Sequence, residues 1–291
     1  MNIELFNVIV PVLICTGIGY VWVRLKIEFP TDFVSRIVIN VGAPCLVFNG
    51  LTSLDSSADQ FVKMVFAALL LMGSILLVNI LAVKAAGRPV LPLAHSLTFS
   101  NWGNLSLPLS LFAFGQEGLA LSLGFFVVAS VVQNSIGMMF LSGKFSPRTL
   151  IRLPVIHAVL AALIFMLAGL KPPGWLTDTS GLLGNMLIPL MLLSLGVSLA
   201  SLHVTRLWRS AGLVIYRLVL GIALGFGVVW VMGLEGVARN VVILTSAMPL
   251  AILNYLYAAR FGKSPDQVAG IVFLSTILSL VAIPLVLAYL I

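Results

Sequence analysis

The 291 residues are 60% hydrophobic and only 9% charged, with a mean hydropathy of +1.16, and this composition excludes a water-soluble domain. The net charge of +7 does not indicate nucleic-acid binding, because the basic residues fall in short loops between apolar segments. Cys15 and Cys45 lie inside apolar segments and indicate neither a disulfide nor a metal site. We therefore expect a polytopic protein of the lipid bilayer, without a metal, a cofactor or a catalytic group.

Ten apolar segments follow one another along the chain. Each can cross a hydrocarbon core of about 30 Å as a helix, and none has the alternating pattern of a membrane β-strand. No basic leader precedes the first segment, which we interpret as a span and not as a cleaved signal. The segments are 5–24, 33–51, 61–83, 91–114, 118–142, 152–170, 181–202, 210–232, 237–260 and 267–290. The sequence thus predicts an all-α polytopic membrane protein with ten transmembrane helices.

Most positive charges lie in the loops that follow the odd-numbered segments. These loops contain Arg24, Lys26, Arg36, Lys84, Arg88, Lys144, Arg148, Arg152, Arg206, Arg209, Arg260 and Lys263. The loops on the opposite side contain Lys63, Lys171 and Arg239. Because cytoplasmic loops are enriched in Lys and Arg, we expect the odd-numbered loops in the cytoplasm and both termini on the outer side of the inner (plasma) membrane.

The two halves of the chain share a spacing of residues. Segment 2 carries the pattern Asn-x3-Pro-x9-Leu from Asn40, and segment 7 carries it from Asn185, a shift of 145 positions. Gly115 and Gly262 follow the ends of segments 4 and 9 and are aligned at a shift of 147 positions. Because each half contains an odd number of spans, the second half enters the membrane from the opposite side. The pattern predicts two inverted five-helix repeats, 1–146 and 147–291.

The fourth segment of each half is polar where a membrane helix should be driest. These segments read FSNWGNLSLPLSLFAFG and LTSAMPLAILNYLYAARFG. We expect Pro108 and Pro249 to break the two helices near the membrane midplane. Two half-helix N-termini would then offer free N–H groups to a carboxylate, and Asn101 and Asn104 would add amide donors. The alternative is that these residues only pack helices together.

Other polar residues in the apolar segments give weaker signals. No carboxylate lies deep in a segment, so no buried proton relay is predicted. His95, His157 and His203 fall near cytoplasmic segment ends, where we interpret them as interfacial side chains. We expect Arg217, about two turns into segment 8, to extend to the cytoplasmic headgroups, with attraction of anions at the inner mouth as the alternative. Asn134 in segment 5 either faces the first broken helix or packs against a neighbour.

Four stretches of this chain together resemble the auxin efflux carrier family, and in particular its short bacterial members, over nearly the whole length. They are VIVPVLICTGIGYVWVR, RIVINVGAPCLVFNGL, SNWGNLSLPLSLFAFGQEG and SAMPLAILNYLYAARFGKSPDQVAGIVFLSTILSLVAIPLVLAYL. The resemblance implies that broken helices 4 and 9 cross at their breaks. It also implies an elevator-type carrier. Spans 1, 2, 6 and 7 would form a scaffold through which the protein forms a homodimer, and spans 3–5 and 8–10 would form the transport domain.

The resemblance also indicates the substrate-binding residues. The family's crossover Asn and Pro correspond to Asn101 and Pro108, and its second crossover Pro corresponds to Pro249. Trp102 stands where relatives usually have a small residue, which indicates a cavity of different shape. The full predicted set of substrate-binding residues is Asn101, Asn104, Ser106, Pro108, Asn134, Met248, Pro249 and Asn254.

We therefore expect a secondary transporter of a small organic anion, either a carboxylate or an auxin-like aromatic acid, that binds where spans 4 and 9 cross. The alternative is a sodium-coupled organic anion symporter resembling the bile acid carriers. A channel suits the broken helices less well. An intramembrane enzyme is not indicated, because the chain has no Gly-x-Ser-x-Gly, no His-Glu-x-x-His and no paired Asp in a span.

Overall fold

The computed structural model describes residues 3–52, 58–87, 90–143, 150–202 and 207–291, and helices occupy most of them. Seven helical stretches within these ranges are long and apolar enough to cross a membrane, by length and composition. The predicted class, a helical membrane protein with several spans, is confirmed. Five residues used in the sequence analysis lie outside the described ranges: Arg88, Lys144, Arg148, His203 and Arg206. The boundary predicted between the two repeats also lies outside them.

The helices are named here in chain order. They are α1 (Ile3–Arg24), α2 (Thr31–Thr52), α3 (Ala58–Ala85), α4 (Val90–Thr98), α5 (Ser106–Ser142), α6 (Pro154–Leu167), α7 (Gly174–Ser201), α8 (Leu207–Met232), α9 (Gly236–Ser246), α10 (Ile252–Arg260) and α11 (Pro265–Leu290).

Two predicted boundaries differ from the helices observed. We expected a connection of three residues, 115–117, between segments 4 and 5, whereas the two helices within Ser106–Ser142 meet at the single residue Gly115, whose φ is 69° and ψ −158°. Glycine adopts this backbone conformation without the steric clash that a Cβ would cause, so one residue replaces a loop. The α6 helix is also shorter than its predicted segment, since it begins at Pro154 and ends at Leu167.

The helices pack in two groups. Helices α1, α2, α6 and α7 contact mainly one another, and α3 contacts mainly α5, α8 and α4. The second group is completed by α8 against α9 and α11, α9 against α5, and α10 against α11. The two broken segments, α4 with the start of α5 and α9 with α10, lie in this second group.

The α1 and α7 backbones approach each other closely at two glycines. A Cβ added to Gly19 would meet the backbone of Leu193, and one added to Gly196 would meet the backbone of Thr16 and Tyr20. Small residues at a helix contact allow backbones to touch, which matters in a bilayer because lipid and side chains are equally apolar. The two glycines therefore allow α1 to pack closely against α7.

We predict that Gly19→Ala and Gly196→Ala each lower stability by about 1–3 kcal/mol, the usual cost of forcing a methyl group into a packed contact. The measurement is thermal unfolding of the purified protein in detergent. Gly17→Ala is the control, because Gly17 lies on the same helix with no heavy atom within 4 Å of its added Cβ. Equal midpoints for Gly19→Ala and Gly17→Ala would contradict the close approach.

Candidate functional site at the crossing of two broken helices

The two helix breaks lie against each other. The α4 helix ends at Thr98 and α5 begins at Ser106, while α9 ends at Ser246 and α10 begins at Ile252. Across the crossing, the Asn101 N–H donates to the Pro249 carbonyl at 2.7 Å, and the Ala251 N–H donates to the Phe99 carbonyl at 3.0 Å. Each break thus satisfies backbone groups of the other, which removes the cost of leaving them unpaired inside a membrane protein.

The two prolines do not have the same role in these breaks. Pro249 lies within its break, as expected. Pro108, in contrast, is the third residue of α5, so the prediction that it interrupts the helix at its own position is wrong. Proline is tolerated there because the N–H groups of the first helical turn have no acceptor within the helix. The first break is formed by the residues before Pro108, from Phe99 to Leu105.

Asn254 joins three helices behind the crossing. Its Nδ2 donates to the carbonyls of Ser96 and Phe99 at 3.1 and 2.8 Å, and its Oδ1 accepts from Gln133 Nε2 at 3.1 Å. The Ser96 carbonyl lies in the last turn of α4 and the Phe99 carbonyl directly follows the helix, where no further helical turn supplies donors. The Asn254 side chain is fully buried, so it caps α4 from α10 and also fixes α5.

A cavity of about 230 Å³ opens beside the crossing, at the ends where α5 and α10 begin. Its walls include the break residues Ser100 to Asn104 and Ala251 to Leu253. None of the described residues that line it is acidic or basic. The remaining wall comes from α2, α5, α6, α7 and α10, and includes Thr31, Ser35, Phe126, Gln133, Asn134, Pro154, Met191, Ser194, Ser198 and Tyr257.

Several hydrogen-bond donors in the cavity wall have no protein partner. Within the described ranges, the backbone N–H groups of Gly103, Ile252 and Leu253 donate to no protein acceptor, nor does Asn101 Nδ2. Asn101 Oδ1 instead accepts from the Asn104 N–H at 3.0 Å. The free N–H groups of Ile252 and Leu253 lie at the beginning of α10, where the helix dipole is positive, and are suited to an anion. At the beginning of α5, in contrast, the Ser106 and Leu107 N–H groups donate to the carbonyls of Asn101 and Gly103.

The predicted site residues separate into two sets. Asn101, Asn104 and Asn134 line the cavity. The Asn134 amide is already engaged, since its Nδ2 donates to the Ser130 carbonyl at 2.7 Å and its Oδ1 accepts from the Tyr257 hydroxyl at 2.8 Å. The residues that do not line the cavity are Ser106, Pro108, Met248, Pro249 and Asn254.

The residues outside the cavity support the crossing or lie on its other side. The Ser106 and Thr245 hydroxyls are 2.9 Å apart and link α5 to α9. Met248 and Pro249 line a small void that also touches Arg217.

Arg217 does not extend to the headgroups, so that prediction is wrong. Only 3% of its surface is exposed, and its Nη2 donates to Ser100 Oγ at 2.5 Å. The Arg217 side chain points into the protein for a local reason. Gly221 lies one helical turn further along α8 on the same side and leaves space for it. A side chain there would collide with the Arg217 guanidinium and the Ser246 carbonyl.

His95 is also in the protein interior and not at an interface. It is fully buried, with its ring centroid 4.9 Å from that of Phe99. His157, in contrast, is exposed, as expected.

Comparison with known proteins identifies the family. Residues 127–287, more than half of the chain, match the family model described as membrane transport protein. The chain belongs to this family, the auxin efflux carriers. This member is 29% identical to an uncharacterized transporter of Methanothermobacter thermautotrophicus, with 95% of each chain covered. It is 25% identical to an uncharacterized transporter of Methanocaldococcus jannaschii, with 96% of each chain covered. Family membership confirms the resemblance seen in the sequence and indicates a transporter.

Sequence reasoning missed part of the cavity wall of this family member. Ser194 and Ser198 on α7 line the cavity, and Tyr257 on α10 contributes a phenol. The two serines lie four residues apart in an apolar helix, a spacing that places them on one face. The spacing indicates a polar face on α7, but the sequence alone does not show which helix or cavity that face contacts.

We predict that Asn254→Leu lowers the free energy of unfolding by about 1–3 kcal/mol for each buried polar group that it leaves without a partner. The substitution keeps the approximate volume and removes the hydrogen bonds to Ser96, Phe99 and Gln133. Asn104→Leu is the matched control, since no hydrogen bond of the Asn104 side chain is found among the described residues. Thermal unfolding in detergent measures both variants, and a similar loss of stability in the two would contradict the capping role of Asn254.

Proposed function

We propose that this protein is a secondary transporter that moves a small organic anion across the membrane and binds it in the cavity at the crossing. The observation that carries the proposal is the set of unpartnered donors in the cavity wall. The residues that carry these groups all line the cavity, Asn101 and Gly103 in the first break and Ile252 and Leu253 at the beginning of α10. A carboxylate would accept these hydrogen bonds and would be stabilised by both helix dipoles.

The walls of the cavity favour an acid with a compact apolar or aromatic body. The volume of about 230 Å³ is below the usual range of about 300–1,000 Å³ for sites that hold drug-sized molecules. Trp102, Phe126, Met191 and Leu253 supply apolar surface beside the donors. This arrangement suits a monocarboxylate better than a large amphipathic acid.

In the proposed mechanism, ten spans form two inverted repeats, and α1, α2, α6 and α7 act as the stationary scaffold of a homodimer. Helices α3 to α5 and α8 to α11 would move as the transport domain and carry the anion. The packing of the helices in two groups, with the cavity between them, supports this division. The close backbone contact of α1 with α7 at Gly19 and Gly196 supports a rigid scaffold.

The helix ends that line the cavity support one state of the proposed cycle. The cavity wall includes Thr31 and Ser35 at the start of α2, Pro154 at the start of α6, and Ser198 near the end of α7. Each of these helix ends lies next to a loop that the charge distribution assigns to the cytoplasm. We therefore propose an inward-open state in the inner membrane, with both termini outside.

We predict that Asn101→Ala lowers the affinity for the transported acid by about tenfold, because a hydrogen bond to a charged group contributes about 1.5–3 kcal/mol. The measurement is saturable uptake or counterflow in proteoliposomes with labelled monocarboxylates, dicarboxylates and aromatic acids. Asn185→Ala is the control, since Asn185 is exposed and does not line the cavity. Unchanged transport of the active acid by Asn101→Ala would place the binding site elsewhere.

We also predict that uptake continues when choline replaces sodium. A sodium site needs several oxygen ligands, whereas the proposed site binds the anion through N–H donors and uses no sodium ion. The initial rate of uptake in the two salts measures this. Complete dependence on sodium would instead favour the sodium-coupled symporter.

A further inference from the structure

Arg217 is a buried cation without an ionic partner in the described part of the chain. The one ion pair found there joins Lys63 to Asp59 on the surface. Arg217 makes one side-chain hydrogen bond, to Ser100 Oγ, and its Nε and Nη1 atoms are buried without a partner. An arginine remains charged in a protein, and an uncompensated charge in a membrane interior is costly, so its retention requires a compensating role.

The surroundings of Arg217 offer only partial compensation. On its side of the crossing, α9 ends at Ser246 and α4 ends two residues before Ser100, and helix C-termini carry partial negative charge. The adjoining void, about 10 Å³, has room for about one water molecule and excludes a substrate. The Ser275 and Ser279 hydroxyls beside the void already donate to backbone carbonyls. The guanidinium therefore lacks a full counter-charge on its own side.

Ser100 connects Arg217 to the cavity. Ser100 lies in the first break, lines the cavity and accepts the hydrogen bond from Arg217. One residue thus separates the guanidinium from a cavity whose described walls contain no charged side chain. In surroundings of low polarity, a charge at this separation interacts strongly with an anion in the cavity.

We propose that Arg217 is the fixed counter-charge of the transported anion, so that the carrier selects monovalent anions and needs no co-transported cation. The inference rests on the proposed function. Arg217 gives the empty site one positive charge, and a bound monocarboxylate neutralises it. A neutral analogue leaves the charge uncompensated, and a dicarboxylate leaves one excess negative charge. Arg217 is a positioning residue. It does not line the cavity and acts on the anion through Ser100 and through the electrostatic field of its guanidinium.

The test compares uptake of the active monocarboxylate by Arg217→Gln, Arg217→Lys and wild-type protein in proteoliposomes. Arg217→Gln is expected to raise KM for the acid by at least about tenfold, which corresponds to about 1.4 kcal/mol. It is also expected to lower the preference for the acid over its primary amide, a ratio that a merely structural role would not change. Arg217→Lys should keep the preference of the wild type.

Arg239→Gln is the matched control, because Arg239 hydrogen-bonds the exposed Tyr289 hydroxyl away from the crossing. If Arg217→Gln keeps the wild-type KM and preference for the acid, the inference is overturned while the proposed function stands. If wild-type protein takes up none of the acids, the proposed function itself fails, and the inference with it.

Wild-type protein provides a second arm that does not depend on the folding of any variant. The primary amide and the dicarboxylate of the same carbon skeleton should inhibit uptake of the labelled monocarboxylate at least about tenfold more weakly than unlabelled monocarboxylate does. Equal inhibition by the dicarboxylate or by the amide would overturn the role of Arg217 as counter-charge.

Discussion

The architecture of the site depends on how two interrupted helices satisfy their backbone groups away from water. A break in a membrane helix frees N–H and C=O groups that lipid cannot pair. The breaks around Ser100 and Leu250 meet as a short antiparallel bridge, so each supplies partners to the other. Neither break would be stable alone, and this mutual dependence fixes the position of the crossing. Asn254 extends the same principle, since one amide pairs with two carbonyls at the end of α4.

The crossing also gives its two sides opposite electrostatic character. Gly103 in the first break and Ile252 and Leu253 at the beginning of α10 line the cavity, and their backbone N–H groups have no protein partner in the described part of the chain. The ends of α4 and α9 face the other way, towards the guanidinium of Arg217. Helix dipoles favour an anion on the first side and a cation on the second. The same two breaks thus have a cation of the protein on one side and unpaired N–H groups on the other.

Some of this architecture could be predicted from sequence because it depends on local properties. Long apolar runs give spans, and a cluster of Asn, Ser, Gly and Pro inside two of them gives the breaks. The prediction that Pro108 breaks its helix is wrong because a proline is equally compatible with the break and with the first helical turn that follows it. The prediction that Arg217 extends to the headgroups is wrong because the position of a residue along a helix follows from the sequence, whereas the direction of its side chain does not. That direction depends on Gly221 and on Ser100, 117 residues away.

Trp102 gives the cavity of this chain a shape that the family resemblance alone does not predict. Its indole is 1% exposed and packs edge to face on Phe125, with ring centroids 4.9 Å apart. A ring held in this way is a fixed part of the cavity wall, because moving it would open a void in a close-packed interior. Relatives with a small residue at this position would have space where this chain has the indole. The unpaired N–H groups belong to the backbone and do not depend on this side chain, so the indole changes the shape of the cavity and leaves those donors in place.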